Sequence, residues 1–227
     1  LAVIGQWWRR SHGGKHPSPA MDKALLVNGA VDLDDGDPIP NFSEGWGRVD
    51  LGRVVDPGIP VFYGDQRRVL RDTGEEWSAV FEVADPSQPL KVTLAWTDAA
   101  AAPEADPALV NDLDLIVETD GSGYLGNVFR DGWSVSDGTR DSLNNLENVF
   151  VAQPGEHAKI RVQAAHVPGD GVPFNAGSTD QDFALVCRNC VAPPPPARRA
   201  SRSRRKRPGS ATGRTGLVRR VIARSRC

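Results

Sequence analysis

With 227 residues, 25% of them charged and 39% hydrophobic, the chain has the composition of a soluble protein of one or two domains. Its net charge of −2 conceals a segregation. Twelve of the 27 basic residues lie in 191–227, which holds no acid, so residues 1–190 carry 15 basic against 29 acidic side chains, a net charge of −14. An acidic body argues against nucleic-acid binding by the folded part, no run has the length of a membrane-spanning helix, and nothing at the start reads as a signal peptide.

Leu1 to Trp8 is apolar and has no capping residue before it, as in a helix entered part-way along. A second helix is better marked. Ser18 suits the N-cap and Pro19 the first helical position. Ala20, Met21, Ala24, Leu25 and Val27 form a partly amphipathic set around Asp22 and Lys23. Gly29 predicts a helix stop in the left-handed C′ conformation. Trp7, Trp8 and Trp46 are expected to pack on this helix and the loop after it rather than form a ligand platform. Asp56-Pro-Gly-Ile-Pro60 reads as a connector.

Beyond the connector the apolar period changes to two. Trp77–Val83, Leu90–Trp96, Leu113–Thr119, Asn148–Ala152, Ala158–Ala165 and Phe183–Val186 read as strands. Asp85-Pro-Ser, Asp120-Gly-Ser-Gly, Gln153-Pro-Gly and Val167-Pro-Gly-Asp-Gly supply turns between them. Short strands with polar turns and no intervening helix predict an antiparallel β-sandwich or jelly roll. Its length, about 120 to 130 residues, is enough for a core of its own.

No catalytic set stands out. His12, His16, His157 and His166 lie in settings that name none of them as a base, and His157 and His166 flank a strand as surface residues. Neither a G-x-S-x-G elbow nor a nucleophile, base and orienter set is present. Cys187 and Cys190 form one C-x-x-C, too few ligands for a zinc site. The pair is either a short-loop disulfide or two thiols, with redox catalysis a third reading. Residues 191–227 begin with Pro193–Pro196 and continue with Arg-, Ser-, Gly- and Ala-rich sequence, which predicts a disordered tail. Taken literally, Arg202–Arg207 suits nucleic acid or an import signal. The loss of every acid after Asp182 instead suggests a linker followed by a changed reading frame, which an intact frame ending after Cys227 would refute.

Two groups of motifs carry a family resemblance. Pro17–Gly29 with Gly45-Trp-Gly-Arg-Val49 resembles the end of a subtilisin-like serine protease domain. Leu94-Ala-Trp-Thr-Asp98, Leu109-Val-Asn-Asp-Leu-Asp-Leu115, Tyr124-Leu-Gly-Asn127, Asn144–Phe150 and Gln181-Asp-Phe-Ala-Leu185 resemble the β-barrel domain that follows it in secreted bacterial subtilases, itself similar to the P domain of kexin-type proteases. The resemblance implies a mainly β chain: residues 1–56 as the C-terminal helices of an α/β subtilisin domain, residues 57–190 as an antiparallel jelly roll, and residues 191–227 as the tail. It further implies a secreted parent that hydrolyses polypeptide substrates with a serine nucleophile and a histidine base. Those groups would lie upstream of residue 1, with no Gly-Thr-Ser-Met-Ala motif here, so this chain alone is not expected to hydrolyse peptides. The β domain would pack on the protease domain, stabilise it and bind calcium, without a membrane partner. The rival from another class is a non-catalytic β-sandwich module that recognises a protein or glycan surface; nucleic-acid binding through the tail is a third.

Strand alternation puts Asp112 and Asp114 on one face and Leu113 and Leu115 on the other. Carboxylates about 6–7 Å apart repel, so a cation or an arginine nearby would help both stay charged. Calcium takes about six to eight oxygens, mixing carboxylates with amide and backbone carbonyls. Asp98, Asp112, Asp114, Asp141, Asn144 and Glu147 are the candidate ligands, with Asn145 and Asn148 nearby. No loop has EF-hand spacing, and by composition alone these residues suit solvated turns. The resemblance moves the reading towards structural calcium.

Overall fold

The computed structural model describes residues 1–33 and 36–192; the linker, the basic tail and Cys227 lie outside the described residues. Three helices come first, α1 (Ala2–Ser11), α2 (Pro19–Asn28) and α3 (Leu51–Val55). The strands are β1 (Val61–Leu70), β2 (Glu76–Val83), β3 (Leu90–Ala95), β4 (Asp112–Thr119), β5 (Ser122–Leu125), β6 (Phe129–Arg130), β7 (Trp133–Ser134), β8 (Leu146–Val151), β9 (His157–His166), β10 (Gln181–Arg188) and β11 (Cys190–Val191).

These strands form two antiparallel sheets, ordered β1-β10-β3-β8 and β11-β2-β9-β4-β5, with β6 and β7 as a separate hairpin. The long strands alternate between the two sheets: β1, β3, β8 and β10 in the first, β2, β4 and β9 in the second. That order is a jelly roll, and the chain is mainly β, as expected. Val92, Leu94 and Trp96 meet Leu113, Leu115, Val117, Ile160, Val162, Phe183 and Leu185 in the inter-sheet core, all nearly inaccessible.

The two sheets differ on their outer faces. β2 and β9 alternate exposed and buried residues, whereas β8 is buried throughout and β3 and β10 nearly so. For β3 and β10 the cause is α2, which packs on both, while β8 is covered by β7 and by Trp46 and Phe129 against Phe150. Ile4, Trp8, Met21, Ala24, Leu25 and Val54 form one cluster with Ala95, Leu146, Ala184 and Val186 of the sheet. Alanines at 95 and 184 leave room for the helix to approach. A buried polar ladder runs beside them: Asn28 Nδ2 donates to the Lys91 carbonyl and to Thr93 Oγ1, both at 3.1 Å, and Thr93 Oγ1 donates to Asn148 Oδ1 at 2.7 Å. The helical segment therefore builds a second core on the outer face of this sheet, separate from the inter-sheet core.

Helix α2 starts as expected, Ser18 Oγ accepting from the Met21 amide at 3.0 Å. Its end requires a correction. Gly29 has φ −86° and ψ −5°, a right-handed conformation, not the left-handed one. Close approach explains the glycine instead: a Cβ there would lie 2.8 Å from Val54 Cγ2 and 3.3 Å from the Leu25 carbonyl. Gly29→Ala should thus overpack the α2–α3 contact and destabilise by about 1–3 kcal/mol in urea unfolding; an unchanged midpoint would contradict this.

Trp8 is buried and Trp7 half-buried, both set edge-on to Tyr63 with centroids 5.6 and 5.9 Å away. Trp46 packs against the same cluster and lies edge-on to Phe129 and Phe150. These are core contacts, as expected. The apolar pattern marks neither helix α3 nor strand β1. Asp50 caps α3 by accepting from the Arg53 amide at 3.2 Å. Strand β1 is broken by an irregularity between Asp65 and Val69, with Gln66 at φ 49°, so its polar middle hides the strand period. Asp120 and Gly121, both at positive φ, make the β4–β5 turn, and Ser122 and Gly123 already belong to β5. Cys187 and Cys190 are paired as a disulfide, covalently joining β10 of one sheet to β11 of the other.

Candidate cation-binding site

Three of the motifs meet in one clamp at the end of the sandwich. Trp96 Nε1 donates to the Asn111 carbonyl at 2.9 Å. Asp98 accepts from the Val110 and Asn111 amides, both at 2.8 Å. The Asn111 side chain, wholly buried, donates to the Gly169 and Asp180 carbonyls and to Gln181 Oε1, while its Oδ1 accepts from the Gly169 amide. Gln181 Nε2 then donates to the Thr97 carbonyl at 2.9 Å. Every buried polar group on Asn111 thus has a partner, which fixes where β4 begins.

From that start β4 runs with Leu113 and Leu115 in the core and Asp112 and Asp114 on the other face, as alternation predicts. β5 pairs only with residues 116–119, leaving the first half of β4 open on that side. Glu147 of β8 fills the gap from the opposite sheet. Its Oε2 accepts from the Leu115 amide at 2.5 Å, and the residue is 1% exposed. Glu147, Asp112, Asp114 and Asp141 are close enough to repel one another, the repulsion reaching Glu147 from all three aspartates.

The electrostatics of this cluster are unbalanced. Burial, with the neighbouring carboxylates adding to it, pushes Glu147 up to about 9. Burial, then Asp114 and Asp141, push Asp112 up to about 6. Asp114 is raised by burial as well, but Arg140 Nη1 donates to its Oδ2 and acts in the opposite direction. Arg140 also donates to Gln163 Oε1 at 2.9 Å. The arginine that strand spacing called for is therefore present, and it serves Asp114. Asp112 Oδ1 and Glu147 Oε1 are buried and lack a hydrogen-bond partner. Such orphaned carboxylate oxygens cost free energy unless a proton or a cation meets them.

Asp141 accepts from the Leu143 amide through Oδ1 and from Asn127 and Asn144 through Oδ2, at 2.9, 2.6 and 2.7 Å. Asn144 thus stands at the rim beside Asp141. Asp98 belongs to the clamp, with both of its oxygens on backbone amides. Asn145 bonds the Trp96 carbonyl and Lys23, and Asn148 lies in the ladder under α2. Two supporting residues escaped the sequence reading. A Cβ at Gly126 would collide with the Glu147 carboxylate, so this glycine makes the space in which that carboxylate sits. Asn127, at φ 59°, ties the same loop to β8 through the Asn148 amide (3.0 Å) and the Leu146 carbonyl (2.8 Å). Both stand in the Tyr124–Asn127 motif, whose spacing carried no sign of this role.

No nucleophile-and-base set accompanies the cluster among the described residues. His12 is stacked on Trp8 with centroids 3.7 Å apart; its Nδ1 meets Ser11 Oγ at 2.9 Å, and Ser11 Oγ also donates to the Trp7 carbonyl. His157 and His166 are exposed at the two ends of β9, and no described helix is long and apolar enough to cross a membrane.

No protein-family model matches the chain. A curated protein of Dictyostelium discoideum named serine protease/ABC transporter B family protein tagA is similar to it, 31% identical over 151 residues and 61% of this chain. The chain spans 8% of that protein's length. The chain is thereby linked, distantly and over part of its length, to a protein named as a serine protease.

Proposed function

We propose that residues 1–192 are the downstream scaffold of a secreted subtilisin-like serine endopeptidase: the closing helices of its catalytic domain fused to a P-domain-like jelly roll. Peptide-bond hydrolysis would reside upstream of Leu1, and this part would stabilise the enzyme. The observation that carries the reading is the single core shared by α1, α2 and the outer face of the β1-β10-β3-β8 sheet. A free-standing recognition module has no need of a helical segment buried against one sheet. The partial similarity to a protein named serine protease points the same way. Reading the coding sequence upstream of Leu1 tests it. A Gly-Thr-Ser-Met-Ala-like segment just before the first helix is expected; an unrelated domain there would favour the binding-module reading.

The same proposal includes a structural calcium ion. Glu147 and Asp112 fit it best, because each holds a buried carboxylate oxygen without a partner. Asp141 and Asp114 would complete the acidic set, and Gly126 keeps the space beside Glu147 clear. Bound calcium would supply positive charge between the two sheets, in place of the proton that burial now favours on Glu147. Asp98 and Asn144 would serve from outside, one by fixing the start of β4 and one by orienting Asp141.

A further inference from the structure

A cleft of about 830 Å³ opens between the connector Pro57–Pro60, the turn at Asp85–Pro89 and the end of β10. Three long cations converge on it. Lys91 and Arg188 stand opposite each other in the β3–β10 register. Arg188 donates through Nη1 to the Arg53 carbonyl at 3.0 Å and through Nη2 to the Pro57 carbonyl at 2.6 Å, which holds its guanidinium at the cleft wall. The Lys91 ammonium lies 4.5 Å from the centroid of Phe150. Arg53 completes the group, with its side chain half exposed.

Among the described residues, counter-charge around these groups is short. Asp50 reaches Arg53 only at 3.9 Å. Asp85 also lines the cleft, but its Oδ1 accepts from the Ser87 amide and hydroxyl at 2.9 and 2.6 Å. Asp32 lies within electrostatic reach of Lys91 and accepts from the Ile39 amide. Burial, then Arg53 and Arg188, lower the Lys91 ammonium to about 8, and burial followed by Arg53 lowers Arg188. Like charges gathered this way repel, and an anion placed among them relieves the repulsion. The gathering also runs against composition, since residues 1–190 carry a net charge of −14. Residues 191–227 contain no acidic side chain to supply an anion.

We propose that this cleft is an oxyanion site that takes the carboxylate or phosphate group of a small ligand between Arg53, Lys91 and Arg188. A guanidinium offers paired donors to two oxygens of such a group, and an ammonium adds a point charge. Trp133, on the same wall, offers a flat apolar surface to the remainder of the ligand. This assignment does not rest on the protease reading.

Isothermal titration of the full chain with inorganic phosphate and with citrate, at pH 7 and low salt, tests it. At least one probe is expected to bind with a dissociation constant below roughly 10 mM, and which one binds identifies phosphate or carboxylate as the group recognised. Arg53→Gln, at an exposed position that leaves the fold alone, and Lys91→Met, which keeps the stem on Phe150, should each weaken binding about tenfold. Arg9→Gln, on α1, should leave it unchanged. No heat with either probe, undiminished binding in both cleft variants, or equal weakening by Arg9→Gln would overturn the assignment.

Discussion

Removing residues 1–56 should leave a β domain that aggregates or fails to stay folded. The deletion strips Ile4, Trp8, Met21, Leu25 and Val54 from the outer face of the four-stranded sheet, exposing Ala95, Leu146, Ala184 and Val186. At about 1.5–3 kcal/mol for each large apolar side chain buried, offset by the entropy of ordering the segment that carries them, the net loss is on the order of a few kcal/mol. That is a large share of an ordinary domain's stability of about 5–15 kcal/mol. Thr93 and Asn148 would also lose the cover of Asn28 while remaining next to apolar surface. Size-exclusion chromatography with light scattering and near-ultraviolet circular dichroism read the outcome. A soluble monomer that melts within a few degrees of the full chain would contradict the shared core.

The second large effect concerns pH. With divalent cations chelated, Glu147 is held at about 9, above its ordinary 4.5, so folding favours its neutral form. That stabilisation is complete below pH 4.5 and is lost as pH rises through about 9. Asp112, raised from 3.8 to about 6, acts in the same direction over a lower window. The chain in chelator should therefore lose on the order of a few kcal/mol of stability between pH 5 and pH 9. Glu147→Gln keeps an acceptor for the Leu115 amide and cannot ionise. It should be more stable than the natural chain at pH 8 and should flatten the slope above pH 6. Urea unfolding at pH 5, 7 and 9 measures both, and a natural chain equally stable at pH 5 and pH 9 would contradict the buried, neutral Glu147.

What the sequence discloses depends on how local the cause is. Period-two alternation marks β4 and β9 because each has its apolar residues on the core side, and Ser18-Pro19 marks α2 because capping is a matter of neighbouring residues. The double burial of β3 and β10 is not local. Thr93, Ala95 and Ala184 look like ordinary outward residues until a helix from far earlier in the chain is laid over them. Gly29 teaches the same lesson: its residue type was informative, but the cause is Val54 across the contact, not the backbone angle. At the site, alternation correctly separates Asp112 and Asp114 from the leucines. It carries no sign of Arg140 as the partner of Asp114, of Gly126 as the space beside Glu147, or of Asp98 as the cap on the start of β4. Each of those depends on which loops the jelly roll brings together.

Differential scanning calorimetry of the full chain at pH 7.5, in excess calcium and in excess chelator, reads whether the acidic cluster holds a cation. If Glu147 and Asp112 hold a structural ion in the scaffold of a secreted protease, calcium should raise the melting temperature by several degrees, as expected when a ligand at about 100 times its dissociation constant adds about 2.7 kcal/mol. The rise should vanish in Glu147→Gln. Superimposable transitions in calcium and in chelator would contradict it.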